Sequence, residues 1–471
     1  MADDHVIAPD PALFPNSAAR RDGEALATEL LADLPERLAG LPVAPALDLA
    51  GARAALEAFD FAAPQPLEAL LPWVIGLLEQ GVTQIAHPRY FGLFNPAPTL
   101  PAQLADRIAA AFNPQLASAT TSPAAVAIEA HTIRAVAARA GLPEGSGGHF
   151  TTGGAEANFT ALICALTAAH AEFGRIGARA FAGQPMLYAS ADSHLAWLKI
   201  AHQAGIGRNA VRLLPTDGAG RMRTDALAEA IATDRAAGAV PVMVAATAGT
   251  TAAGMIDPLP ACVAIARQAG LWCHVDAAWG GGAIASDRLR PLLAGIAEAD
   301  SVTIDAHKWF ATTMGCGMFL TRHPALLSEA FRVSTGYMTS NAAGVDPYVT
   351  SVQWSRRFLG LRLFLSLAAA GWAGHAAHVE RAVALAALLR RQVEARGWQV
   401  VNDSPLAVLC LRPPPGAAEP AAIVRSVLAS GAAWISVATF AGGPVIRACV
   451  THGATSEADV ARLVAALEAA R

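Results

Sequence analysis

Of the 34 basic residues in this 471-residue chain only two are lysines, and one of them, Lys308, directly follows a histidine at the end of an apolar-alternating run, "SVTIDAHKWF" (301–310). A lysine amine forms a Schiff base with an aldehyde, which a guanidinium cannot do. Upstream, "LWCHVDAAWGGG" (271–282) carries an apolar strand into Asp276. That carboxylate is expected to emerge at the carboxyl edge of a sheet, where open α/β proteins bind their ligands. Trp279 and three glycines follow it in place of a helix-starting pattern. A third stretch, "HFTTGGAEANFTAL" (149–162), reads as strand, Gly-Gly turn and helix. Glycines there let the backbone approach a ligand, and the first free N–H groups of the helix suit a phosphate. Alone, such a turn is commonly just a turn. The fourth stretch, "SADSHLAW" (190–197), sets His194 after a strand, where a histidine by itself is as readily a core or loop residue.

Together these stretches supply an amine for an aldehyde, a carboxylate for a ring nitrogen, a cradle for a phosphate and a flat ring to stack. Those are the demands of pyridoxal 5′-phosphate (PLP), and an Asp partner for the pyridine nitrogen with a Schiff-base lysine is its usual signature. On this reading Lys308 is there to carry the cofactor.

The elements that must position these residues are legible in the hydrophobic pattern. Short apolar runs at 185–190, 240–247, 271–278 and 301–307 read as buried strands, and 159–173, 223–238 and 259–270 as the helices between them. Such alternation predicts an α/β fold with a mostly parallel, helix-covered sheet. Residues 24–40 and 67–82 have helical spacing punctuated by prolines and form an N-terminal helical segment. Beyond about 360, a helix at 379–397 precedes strands at 406–411, 434–440 and 444–450. A last helix begins at Ser456 with Asp459 three residues on, a capping box. The expected division is residues 1–92 (N-terminal helices), 93–365 (large cofactor-binding domain) and 366–471 (small C-terminal α+β domain).

Bulk properties exclude other classes. A net charge of −4 with no basic run gives no electrostatic basis for nucleic acid or a membrane surface. The longest weakly charged stretch, 363–379, is too short and too rich in small residues to span a bilayer, and the acidic N-terminus does not read as a secretory signal. Six scattered cysteines form no C-x-x-C pair, so no metal site is expected and a reducing, cytoplasmic setting is.

The motifs "HPRYFGLFN", "TTGGAEAN", "ADSH", "ATAGTT", "HVDAAWGGG", "DAHKWF" and "GYMTS" occur in the order and spacing of one family. Over most of its length the chain resembles the group II PLP-dependent amino-acid decarboxylases, which include aromatic-L-amino-acid, glutamate and 2,4-diaminobutyrate decarboxylases of PLP-transferase fold type I. The resemblance implies Lys308 as the Schiff-base lysine, Asp276 as the partner of the pyridine nitrogen and His194 as the stacking ring, with Ala278 on the opposite ring face. It implies a phosphate cradle from Gly153, Gly154 and Ala155, with Asp305 and His307 beside the cofactor and Thr251 or its neighbour Thr250 contacting it. Asp305 stands where the family often has asparagine, and an acid beside a phosphate would be repelled. Tyr337, in the polar loop 334–346, is the implied proton donor, with Tyr348 as the alternative. In the family this loop reaches into the partner subunit's site, which implies an obligate homodimer.

A tyrosine at 337 together with His194 favours simple decarboxylation of an L-amino acid to amine and CO2 over the aldehyde-forming oxidative reaction of relatives with phenylalanine there. The substrate pocket is expected to draw on Phe91, Phe94, Asn95, Gln115 and Ala117. Small residues at Ala86 and Ala117 leave room for an indole, and Asn95 and Gln115 could hold a polar tip. An aromatic substrate is therefore favoured over an acidic or diamino acid. A non-catalytic homologue would not be expected to keep Lys308, Asp276 and His194 together.

Overall fold

The computed structural model describes residues 10, 12–59, 61–333 and 346–471. Its centre is a seven-stranded sheet formed by β1 (Gly147–Thr151), β2 (Pro185–Ser190), β3 (Val211–Leu214), β4 (Val240–Thr247), β5 (Trp272–Asp276), β6 (Ser301–Asp305) and β7 (Gly317–Thr321), in the order β1-β7-β6-β5-β4-β2-β3. From β3 to β6 every pairing is parallel, and β7 runs antiparallel to both β6 and β1. The four apolar runs in the sequence are four of these strands. β5 and β6 each stop two residues short of the expected end, at their aspartates. Strands β2, β5, β6 and β7 are buried along their whole length, as expected where helices cover both faces of a sheet and remove any need for alternation.

Register sets the edge where chemistry can occur. Thr247 pairs with Asp276, and Asp276 with Thr303, so the carboxyl ends of β4, β5 and β6 lie side by side. The helix Gly154–Ala169 starts three residues after β1 and packs its buried Ala157, Asn158, Ala161, Leu162 and Ala165 against the sheet. A 35-residue helix, Gly360–Glu394, covers the outer side and is broken at Gly371 (φ 63°). It runs through residue 365, the boundary expected from the sequence.

The C-terminal part is an antiparallel sheet of β8 (Gln399–Val400), β9 (Val408–Arg412), β10 (Ser436–Phe440) and β11 (Gly443–Cys449), in the order β10-β11-β9-β8. Its closing helix, Glu457–Ala470, starts with the expected capping box: Ser456 Oγ accepts from the Asp459 N–H while Asp459 Oδ2 accepts from the Ser456 N–H at 2.9 Å. Four helices, Ser17–Ala32, Leu34–Gly40, Leu49–Glu57 and Leu67–Gly81, form the N-terminal segment, and only Leu38 among their residues is buried. No helix among the described residues is long and apolar enough to cross a membrane.

Candidate active site

At the carboxyl edge of β4–β6 lies a cleft of about 480 Å3 including its mouth, lined from six separate stretches: Phe94; Gly154, Ala155 and Asn158; His194 and Ala196; Thr247, Gly249 and Thr251; Asp276, Ala278 and Trp279; and Asp305 with Lys308. Strand ends explain the convergence. Asp276 is the last residue of β5 and Asp305 the last of β6, and a tight turn (Lys308 N–H to Asp305 C=O, 3.2 Å) brings Lys308 back over the edge.

Asp276 is 6% exposed. Its Oδ1 accepts from the Ala278 N–H at 3.1 Å and its Oδ2 from Asn158 Nδ2 at 2.8 Å. An ionised carboxylate has about four acceptor positions, so capacity is left over for a donor in the cleft. Lys308 Nζ lies 3.0 Å from Asp305 Oδ2 and 6.0 Å from the centre of the Phe94 ring. Asp305 Oδ1 is buried with no hydrogen-bond partner among the described residues. His194 is exposed at the cleft mouth, and its Nδ1 accepts from the Ala196 N–H at 3.2 Å, which places the proton of a neutral ring on Nε2. Phe94 stacks on Trp279 (4.1 Å between centroids), and Trp279 on Trp309 (5.1 Å), so one wall is a pile of aromatic rings.

The start of the helix Gly154–Ala169 faces the same space. Gly153 is its N-cap with φ 155°, and a Cβ on Gly154 would come within 3.0 Å of Asp305 Oδ2 and 3.3 Å of the Ala278 Cβ. Glycine keeps that room open where a side chain would press on both, and the helix's unpaired N–H groups border it. A small space bounded by helix N–H groups, a strand-end carboxylate, a lysine amine and a planar histidine is chemically matched to PLP.

Comparison with known proteins agrees. The model of the pyridoxal-dependent decarboxylase conserved domain matches residues 55–412. The chain belongs to that family. It is 33% identical to a tyrosine decarboxylase of Oryza sativa subsp. japonica over 407 residues, 82% of this chain and 75% of the relative. It is 32% identical to an acidic amino acid decarboxylase of Mus musculus over 333 residues, 69% and 60% of the two chains. The solved structure of Oryza sativa TDC with PLP and tryptamine superposes with a TM-score of 0.91 at 25% identity, covering 98% of this chain and 99% of that one. This decarboxylase is PLP-dependent and acts on an amino acid.

The residues singled out in the sequence fall into four groups. Lys308, Asp276, His194, Ala278, Gly154, Ala155, Thr251, Asp305 and Phe94 line the cleft, and Gly153 caps the helix that borders it. Thr250 is buried, its Oγ1 accepting from the Met255 N–H at 3.0 Å, which leaves Thr251 as the member of that pair at the cleft. His307 is buried behind the lining, with Nδ1 3.0 Å from the Cys316 carbonyl oxygen and Nε2 3.9 Å from Asp305. Phe91, Asn95, Gln115 and Ala117 are not among the lining residues of this chain's cleft. Phe91 is fully buried, Gln115 is exposed and bonds Ser355 Oγ at 3.2 Å, and Ala117 packs with Tyr348 and Val349. Tyr337 lies outside the described residues.

Asp305, which the sequence sets beside the phosphate cradle, is the ion-pair partner of Lys308. Asn158, Thr247 and Trp279 also line the cleft without having been given a role from the sequence. Asn158 was recoverable: it ends the motif "TTGGAEAN", four residues after Gly154 and so on the same helix face.

Proposed function

We propose that this decarboxylase acts on an aromatic L-amino acid, releasing CO2 and the arylalkylamine, and works as a homodimer. The observation that carries the substrate class is the ring wall: Phe94 lies flat on Trp279 at the cleft, within 6.0 Å of the Lys308 amine. A planar apolar wall favours a planar side chain by area and by offset stacking.

When bound, PLP supplies an aldehyde for a Schiff base and a ring that accepts electrons as the carboxylate leaves. The chain's own residues do the rest. Lys308 would hold the aldehyde covalently, being the lysine of the cleft. Asp276 would accept a hydrogen bond from the protonated pyridine nitrogen, an opposite charge that favours the protonated ring. The N–H groups of Gly153, Gly154 and Ala155 would hold the phosphate, assisted by the helix dipole. His194 and Ala278 would confine the ring between them, with Thr251 at its edge. After CO2 departs, a positioned acid must return a proton to the same carbon, and Tyr337 is the group assigned to do so.

Three observations support the dimer. The helix Leu100–Phe112 exposes Leu100, Leu104, Ile108 and Phe112 at four-residue spacing, an apolar stripe suited to burial against another surface. Leu67, Val74 and Leu78 of the N-terminal segment are also exposed. Gln115, implied as a pocket residue, is exposed and absent from the lining of this chain's own cleft, consistent with service to a neighbour's. A monomer in sedimentation equilibrium at micromolar concentration would remove this part of the reading.

A second reading follows from Arg447. It is buried, its guanidinium carbon sits 4.5 Å from the Phe94 ring centre, and Nε and Nη2 have no hydrogen-bond partner among the described residues. An arginine of that kind would suit a carboxylate side chain. The deciding experiment gives the PLP-loaded protein single L-amino acids and follows CO2, amine, aldehyde and peroxide by mass spectrometry. Equimolar CO2 and amine from tyrosine, tryptophan or phenylalanine is the expected result. Turnover confined to acidic or diamino acids overturns the substrate class, and aldehyde with peroxide overturns the reaction type.

A further inference from the structure

Behind Asp276 the cleft wall is not apolar. Trp272, His274 and Asp276 alternate along β5 and so face the same side of the sheet, and Ser301 is the register partner of His274 on β6. Trp272 Nε1 lies 2.8 Å from Ser301 Oγ, Ser301 Oγ 2.8 Å from His274 Nδ1, His274 Nε2 3.0 Å from Asn158 Oδ1, and Asn158 Nδ2 2.8 Å from Asp276 Oδ2. Thr303 Oγ1 also sits 3.3 Å from His274 Nε2. Ser301 and His274 are fully buried.

Both ends of this chain have a fixed polarity. An indole N–H can only donate, and a carboxylate oxygen can only accept. The carboxylate requires the Asn158 amide nitrogen to face it, which turns Oδ1 towards His274. Oδ1 in turn requires a proton on His274 Nε2, and in the neutral ring this leaves Nδ1 as an acceptor for the Ser301 hydroxyl. Ser301 keeps a lone pair for the Trp272 N–H. Every bond thus points the same way, from the indole to the carboxylate. Burial pushes the His274 pKa down to about 4, so the ring is neutral near pH 7, as this ordering needs. An apolar side chain would fill the position of His274 without a polar network to satisfy, so packing alone does not account for it.

We propose that Trp272, Ser301, His274 and Asn158 are positioning residues for the cofactor: a one-way hydrogen-bond chain that holds the Asp276 carboxylate turned towards the pyridine nitrogen. This rests on the reading that Asp276 is the partner of that nitrogen. Asn158 is the nearest link, fixing Oδ2, while the backbone N–H of Ala278 fixes Oδ1. The two bonds leave the carboxylate no free rotation, and the remaining lone pairs are presented to the cleft. His274 selects which end of the Asn158 amide faces Asp276, and Ser301 selects which nitrogen of His274 carries the proton.

The test strips PLP from the purified protein, titrates it back and records two quantities: the dissociation constant and the absorption maximum of the bound cofactor. Asp276→Asn, His274→Phe and Ser301→Ala are compared with the parent. His274→Phe should weaken PLP about tenfold and Ser301→Ala about threefold, the size of one lost hydrogen-bond preference, and both should move the absorption maximum in the direction that Asp276→Asn moves it. A purely structural role would lower the unfolding temperature and leave the absorption maximum in place. If both variants keep the parent dissociation constant and spectrum while Asp276→Asn is impaired, the chain is inert and the proposal falls. If Asp276→Asn itself behaves like the parent, it is the pairing of Asp276 with the pyridine nitrogen that fails. Should His274→Phe not fold, Ser301→Ala decides alone, since it removes a single hydroxyl.

Discussion

Two of the places where the protein buries charge differ in what completes them. Glu129, on the helix Pro123–Arg139, meets Arg356 with both side chains about as buried as Asp276. Its Oε2 pairs with Arg356 Nη2 and its Oε1 accepts from the Gly360 N–H at 2.8 Å, while Arg356 Nη1 donates to the Phe150 carbonyl at 3.2 Å and Nε alone is without a partner among the described residues. Burial raises the Glu129 pKa and the Arg356 charge opposes that rise. This pair ties the Pro123–Arg139 helix, β1 and the start of the Gly360–Glu394 helix together. In the cleft, by contrast, Asp305 Oδ1 has no partner among the described residues, Asp276 keeps acceptor capacity, and Lys308 is partly exposed against one carboxylate. Charges paired with each other inside the chain tie elements of the fold together. Charges left without a full set of partners at a strand edge are free to meet a ligand.

Substitution should separate the two. Lys308→Ala has the largest expected effect: decarboxylation should fall at least about a thousandfold, the order at stake when a covalent catalytic group is removed. Borohydride treatment should then leave no cofactor attached to protein, and an adduct that persists would make the lysine assignment wrong. Glu129→Ala comes next. Removing one partner strands the Arg356 charge in the interior, which costs about 3–5 kcal/mol, read as a lower denaturant midpoint. The folded fraction should still bind PLP with the parent dissociation constant. If Glu129→Ala instead spared stability and weakened PLP, the division between the two sites would collapse.

How far the sequence reached follows the same line. Asp276, Lys308 and the Gly153–Gly154 turn were legible because each ends a local pattern, an apolar strand or a strand–turn–helix, and local pattern fixes the edge of the sheet at which they emerge. The strands β3 and β7 were not anticipated. β7 owes its place to antiparallel pairing with β6 on one side and with β1, more than 160 residues away, on the other, and no spacing within 317–321 encodes that partner. β3 is four residues long with two exposed positions, too short for a period to declare itself. The chain from Trp272 to Asp276 was half visible: alternation puts 272, 274 and 276 on one face, but Asn158 and Ser301 arrive from elements whose packing no local pattern states. For the pocket, matching motifs brought Phe94 to the cleft. Motif matching carries no information on which side chains a turn of the backbone will aim into the cleft, and there Phe91, Asn95, Gln115 and Ala117 parted from Phe94.

The smallest expected effect tests whether an unpartnered buried polar atom always marks a ligand. His149 has both ring nitrogens, and His378 its Nε2, without hydrogen-bond partners among the described residues, yet neither lines the cleft. Burial lowers their pKa values, to about 3 for His149 and about 4 for His378, and those of His87 and His274 to about 4. The unfolded chain takes up a proton at each of these histidines near pH 6.5, while the folded protein does so only at the lower value. Between those limits the unfolded state binds more protons, so stability rises with pH and is lost as pH falls from about 6.5 towards 4. Asp257 works in the opposite sense: burial lifts it to about 6, so the folded state holds the extra proton between about 3.8 and 6, and that contribution fades as pH rises. Glu129, also raised by burial, adds to Asp257, but the histidines lowered by burial, His375 and His452 among them, outnumber these two carboxyls, and the net expectation is acid lability. His378→Leu should flatten the slope of unfolding free energy against pH in this window by up to about 1.4 kcal/mol per pH unit, one proton's worth, and leave PLP affinity at pH 7 unchanged. An unaltered slope would mean His378 is protonated or solvated in the folded protein. A loss of PLP affinity would mean that the line between structural and ligand-holding polar groups does not run at the cleft wall.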